Sequence, residues 1–196
     1  MNKEKRSFTN NLEIRSTGES KKLKGYAALF NERTEIMDFV EEIKPGAFDD
    51  VLESDDLDVR FLINHDPSTV LARYKADRSN NTLELKQDSK GLLFIAELPD
   101  IQEANDLIEK VKRGDIDQAS FGFIVAENGE NWTETKEGKT LREIENIREL
   151  FDTSIVTYPA YNSTNVEVAS KTQRKAKSFI NLELKKKEIE LLKLGG

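Results

Sequence analysis

The chain contains one histidine, His65, and no cysteine. Imidazole is the side chain whose ordinary titration lets it take up and return a proton near neutrality, so chemistry of that kind converges on this residue. Without a thiol, a nucleophile has to be an oxygen or an amine. His65 follows the apolar run VRFLIN, in which Val59, Phe61, Ile63 and His65 alternate to one side of a strand. In QASFGFIV the same alternation assigns Ala119, Phe121 and Phe123 to a core face and Gln118, Ser120, Gly122 and Ile124 to the other. Ser120 then projects away from the core, and Gly122, two residues on, leaves room for another backbone such as a substrate peptide. In RELFDTSIV the pattern groups Leu150, Asp152, Ser154 and Val156 against Glu149, Phe151, Thr153 and Ile155. A carboxylate among such residues costs several kcal/mol unless it is paired. Orienting His65 would pair it, so Asp152 is the favoured acid and Glu149, on the other face, the second. Asp66 follows the imidazole directly and points away from it. Taken singly, each residue also fits a structural role: a histidine beside a proline turn, a half-exposed strand serine, an acid at a sheet edge.

These residues need a β framework to position them. Between Asn11 and Leu98 the short runs LEIR, LKGYAALF, EIMDFVEEI, VRFLIN, TLELKQ and LLFIAEL are each bounded by Gly, Pro, Asn or Asp, which predicts strands. Phe48, Val51 and Leu52 share a helical face and predict a short helix in GAFDDVLES. Ala104, Leu107, Ile108 and Val111 stand at i, i+3, i+4 and i+7, and Gly114 supplies a stop, which predicts a longer helix. Further on, a hairpin turning at Glu137-Gly138-Lys139 and the run ENIRELFDTSIVTYPAY complete the body.

With 196 residues, one domain and a tail fit better than two full cores. The division falls at residues 1–169 and 170–196. Residues 170–196 hold eight Lys and Arg and three Glu, a net +5, against −12 for the rest of a chain whose total is −7. That balance argues against wrapping nucleic acid over the whole surface. The tail can place Phe179, Leu182, Ile189 and Leu192 on one helical stripe, yet is too short to be a stable helix alone. No stretch approaches the roughly 18 to 20 apolar residues that span a bilayer, and the first fifteen residues lack a secretory core, so no membrane partner and a reducing cytoplasm are expected. One His, no Cys and scattered carboxylates offer no metal-ligand spacing, and the Gly-rich patterns of phosphate loops are absent. No cofactor is expected.

Six ordered segments resemble the prohead serine proteases of tailed bacteriophages, which are related to the herpesvirus assembly proteases. They are GYAALFN (Gly25 to Asn31), EEIKPGAF (Glu41 to Phe48), FLINHD (Phe61 to Asp66), GLLFIAELPD (Gly91 to Asp100), IDQASFGFIV (Ile116 to Val125) and ELFDTSIVTYPAYNST (Glu149 to Thr164). The resemblance implies that His65 is the general base and Ser120 the nucleophile. The family's L-x-E-V-S segment falls on Leu150-Phe151-Asp152-Thr153-Ser154, with Asp where Glu is usual and Thr where Val is usual. The herpesvirus relatives use a second histidine as third member, which this chain lacks, so an acid is expected there.

Implied with the site are a mainly β (α+β) fold, a closed and mostly antiparallel barrel flanked by helices, with the basic helical tail appended. Implied too is a serine endopeptidase that processes scaffold and major capsid protein precursors, and finally itself, inside the procapsid in the bacterial host cytoplasm, with self-association a further expectation. The tail would dock the protease on an acidic scaffold or capsid segment, or lie against the acidic body until cleavage removes it. Two alternatives use the same elements: a non-catalytic assembly or scaffold protein of the same fold, and a hydrolase of esters or small amides.

Overall fold

A computed structural model describes residues 3–9, 12–17, 20–36 and 39–158, with 178, 181–182, 185–187 and 190 beyond them. The strands are β1 (Glu4–Thr9), β2 (Glu13–Thr17), β3 (Ser20–Leu29), β4 (Thr34–Ile36) and β5 (Phe39–Ile43); helix α1 (Asp49–Leu52) follows. Then come β6 (Asp58–Ile63), β7 (Val70–Lys75), β8 (Leu83–Gln87), β9 (Gly91–Leu98) and helix α2 (Gln102–Arg113). The body ends with β10 (Gln118–Val125), β11 (Glu130–Glu134), β12 (Thr140–Ile144) and β13 (Ile147–Val156). The protein is thus mostly β with a few helices.

The strands form three sheets, ordered β1-β10-β13-β6-β7, β11-β12-β5-β4 and β2-β3-β9-β8. Among the described residues no sheet closes on itself, which corrects the expected barrel. Two central pairings, β6 with β13 and β5 with β12, are parallel. The seam between β7 and β8 shows physically why one ladder does not run on. The Thr82 N–H reaches the Arg73 carbonyl at 3.1 Å, but the Arg73 N–H bonds the Thr82 hydroxyl at 3.0 Å and the Lys75 N–H bonds the Asn81 side chain at 2.8 Å. Side-chain acceptors stand where a paired strand would offer carbonyls, so the local bonds are satisfied without a continuous sheet.

Alternation fills one core. Val59 and Phe61 of β6, Ala119, Phe121 and Phe123 of β10, Thr153 and Ile155 of β13, and Phe94 of β9 are fully buried. Their rings pack at centroid distances of 4.6 Å for Phe121–Phe123, 5.1 Å for Phe61–Phe94 and 5.5 Å for Phe48–Phe121. Each buried Val, Ile or Phe among them stabilises the fold by roughly 1.5–3 kcal/mol through burial. Both predicted helices form. α2 buries Ala104, Leu107 and Ile108 and ends at Gly114, whose φ of 76° is the left-handed C-cap that glycine adopts without a Cβ penalty. In α1 Val51 is buried beside Phe48, while Leu52 is partly buried.

The expected tail falls largely outside the described residues, including Phe179 and Ile189. Among the described residues of that segment, Lys187 Nζ lies 2.9 Å from Glu134 Oε2 of β11. Both groups are exposed, so the pair contributes at most about 1 kcal/mol.

Candidate active site

The site lies on the face of the five-stranded sheet opposite the phenylalanines. Ser120 of β10 stands opposite Ser7 of β1 and Ser154 of β13, and Gly122 stands opposite Asp152. Residues opposite one another in a ladder share a face at 4.5–5.5 Å, so this register alone brings Ser120, Ser154 and Asp152 into one patch. A bulge in β13 makes that possible. Gly122 pairs with Asp152 but Phe123 pairs with Leu150, leaving Phe151 as the extra residue. Strict alternation would group Leu150 with Asp152. The bulge instead sends Leu150 into the core with Phe123 and keeps Asp152 on the opposite face. Phe151 is partly buried, with the Lys3 ammonium 4.1 Å from its ring centre.

His65 arrives by a different device. Alternation along β6 aims it to the Phe61 side, the core face, and this expectation is overturned by the backbone. Asn64 and His65 both adopt left-handed conformations, with φ of 52° and 57°. Two such residues in succession reverse the direction of the side chain and lay the imidazole over Ser120. Asparagine tolerates the conformation better than most residues. The turn is clamped to the end of β13: the Asn64 N–H donates to the Ile155 carbonyl at 2.8 Å, and Asn64 Oδ1 accepts from the Thr157 N–H at 2.9 Å. On its far side Asp66 accepts from the Ser68 N–H and hydroxyl at 2.9 and 2.7 Å, pointing away from the imidazole as expected.

The structure brings His65, Ser120 and Asp152 together. His65 Nε2 lies 2.7 Å from Ser120 Oγ, and His65 Nδ1 is hydrogen-bonded to Asp152 Oδ1. Asp152 ionised can only accept, so Nδ1 carries the proton and the Nε2 lone pair faces the Ser120 hydroxyl. The His65 and Asp152 side chains are 6% and 5% exposed and Ser120 is fully buried, so water does not dilute their interaction. Gly122 was expected to leave open room beside Ser120 for another backbone. That room is taken, since a Cβ on Gly122 would meet Asp152 Oδ2 at 2.6 Å. Glu149, the second-choice acid, is not brought to the imidazole and pairs at the surface with Arg148.

Electrostatics keep the acid ionised. Burial pushes the Asp152 pKa up, but the hydrogen bond and charge of His65, the Ser154 hydroxyl and the Lys3 charge outweigh it and hold the carboxyl below its ordinary value. Nearby, burial pulls the Lys5 pKa down against the opposing pull of Asp152.

Two partners escaped the sequence reading. Ser154 donates to Asp152 Oδ1 at 2.8 Å and lies 3.2 Å from His65 Nδ1; its position two residues after Asp152 was the available signal. The second is the main-chain carbonyl of Arg6 on β1, 2.8 Å from Ser120 Oγ. A carbonyl carries no sequence signal. The single hydroxyl proton of Ser120 therefore has two acceptors in reach, Nε2 and this carbonyl. Among the described residues no three His, Cys, Asp or Glu side chains gather as a metal site.

A mostly β scaffold carries a buried hydroxyl, an imidazole and a carboxylate in hydrogen-bonded sequence, the arrangement that serine hydrolases use. The family model described as Caudovirus prohead serine protease matches residues 10–179, and the chain belongs to that family. Comparison with curated proteins finds no match. Among solved structures the chain is similar to the bacteriophage T4 capsid assembly protease, gp21, at 12% identity and a TM-score of 0.47, over 80% of this chain and 98% of that one.

Proposed function

We propose that the protein is an endopeptidase acting in a phage procapsid within the host, with scaffold and major capsid protein precursors, and finally itself, as substrates. The observation that carries this reading is the placement of His65 between Ser120 Oγ at 2.7 Å and the Asp152 carboxylate, in a chain of the prohead protease family. Ser120 Oγ forms a bond to the scissile carbonyl carbon while His65 Nε2 takes its proton. The tetrahedral intermediate collapses by breaking the C–N bond, and His65 returns that proton to the leaving amine. Water, deprotonated by the same imidazole, then releases the acyl group from Ser120. Asp152 holds the Nδ1–H tautomer and stabilises the imidazolium formed in each half-reaction. Base assistance of this kind contributes about 100- to 10,000-fold.

The test is Ser120→Ala in cells that co-express the capsid precursors. Wild type shortens them to mature length, and the variant leaves them intact while its fold and incorporation into procapsids are unchanged. Cleavage persisting in the variant overturns the assignment of Ser120. Wild-type protein that leaves every precursor intact overturns the protease reading in favour of an assembly protein of the same fold.

A further inference from the structure

We propose that Ser154 is a positioning residue for the proton relay: its hydroxyl fixes the Asp152 carboxylate, and through it the Nδ1–H tautomer of His65. The inference rests on the protease reading for its kinetic consequence, but the geometry stands independently. Ser154 is fully buried, so its hydroxyl requires a partner, and the partner within reach is the relay itself. It donates to Asp152 Oδ1 at 2.8 Å, the same oxygen that accepts from His65 Nδ1–H. It also stands 3.2 Å from Nδ1, where its oxygen lone pair receives the minor branch of that donor.

Three constraints then fix one carboxylate. His65 and Ser154 converge on Oδ1, while Oδ2 lies over Gly122, where a Cβ would stand 2.6 Å away. An aspartate side chain rotates about its last bond in a broad, roughly two-fold well. A second donor on one oxygen selects a single orientation from that well. Because Ser154 follows Asp152 by two residues in the same strand and faces Ser120 in the ladder, sheet register sets its position with little dependence on side-chain freedom. The Ser154 hydroxyl also spreads the carboxylate's charge, which is one of the causes holding Asp152 ionised. Without it, Oδ1 keeps one donor, the carboxylate gains rotational freedom and the imidazole loses its fixed orientation toward Ser120.

The test uses full-length protein and compares wild type with Ser154→Ala, Ser154→Thr and Ser154→Val. Thr keeps the hydroxyl; Val has nearly the shape of Thr without it and carries the comparison should Ala fail to fold. With a capsid-precursor peptide, kcat falls about tenfold in the Ala and Val variants, as expected for losing a hydrogen bond to a charged group, with KM unchanged and Thr close to wild type. A structural readout needs no substrate. His65 is the sole histidine, so its Nδ1–H gives one low-field proton resonance, and that resonance moves or broadens in Ala and Val but not in Thr. A resonance identical in wild type, Ala and Val overturns the proposal, and so does a Thr variant as impaired as Val. If wild type cleaves nothing while the resonance still follows the hydroxyl, the protease reading fails and the positioning role of Ser154 stands.

Discussion

At Gly122 a single hydrogen atom decides whether the carboxylate can sit where it does. The missing Cβ is filled by Asp152 Oδ2, 2.6 Å from where a methyl would stand, and van der Waals contact needs roughly another angstrom. Gly122→Ala is therefore expected to push Asp152 off its bond to His65 and, on the proposed protease reading, to lower kcat by on the order of 100-fold, since a displacement of about 1 Å among catalytic groups costs that much. Measured kcat within a few-fold of wild type would mean that the carboxylate tolerates the displacement. Residues of this site were legible in the sequence for reasons of scarcity and parity. A lone histidine, a strand serine opposite a phenylalanine face and an acid in an apolar strand need no structure to be noticed. What parity could not supply was the bulge at Phe151, because one extra residue reverses every assignment before it, and so Leu150 was grouped with Asp152 rather than with the core. Main-chain partners such as the Arg6 carbonyl lie beyond any reading of side-chain types.

The element that matters most for the imidazole is the two-residue left-handed turn after β6. Asn64 serves it twice, by tolerating a φ of 52° and by accepting the Thr157 N–H at 2.9 Å. Asn64→Ala imposes left-handed backbone on an alanine and removes that acceptor. Each loss costs about 1–2 kcal/mol. Asn64→Gly restores the backbone freedom but not the acceptor, and should recover about half of the loss in a urea titration. Equal stability of the two variants would show that the hydrogen bond, not the conformation, dominates. The turn explains why the sequence placed His65 correctly along the chain but on the wrong side of the sheet: period-two alternation holds only while φ stays negative. The helices were legible because α2 carries its own stripe and stop. Replacing Leu107, fully buried on that stripe, with Ala should cost about 2–5 kcal/mol of unfolding free energy while leaving the geometry of His65 and Ser120 intact. Closure of the sheet was not legible, because strand count and polarity pattern say nothing of which edges meet, and the Thr82 and Asn81 side chains settle it locally.

Across the whole molecule, a buried cluster of charges ties the sheet that carries the site to its neighbour. Glu4 and Arg6 of β1 meet Glu41 of β5 and Arg142 of β12, with Glu130 of β11 at the rim. Arg142, among the largest fully buried side chains, donates to Glu4 at 2.7 and 2.9 Å, to Glu41 at 2.7 Å and to Glu130 at 2.7 Å. Such a cluster adds little net stability compared with apolar packing, but removing one member strands the others; Arg142→Met is expected to cost about 3–5 kcal/mol. The same β1 segment brings the Arg6 carbonyl to Ser120, so the cluster also holds one wall of the site in place. Its acid dependence follows from Glu4. Burial raises the Glu4 pKa, but hydrogen bonds and charge from Arg142 and Arg6 overcome it and hold the carboxyl at about 2, against 4.5 unperturbed. A carboxyl lowered in the folded state contributes stability that is complete above the unfolded value of 4.5 and is lost as the pH falls through the folded value near 2. Glu4→Gln removes that titration while keeping the shape of the side chain. The variant should be less stable than wild type at pH 7, and the gap should narrow steadily between pH 4.5 and 2, because only wild type then loses an ionised partner of Arg142. Urea unfolding at half-unit pH steps reads this directly. A gap that stays constant across the window would show that Glu4 is not the carboxylate through which acid loosens β1 from the rest of the protein.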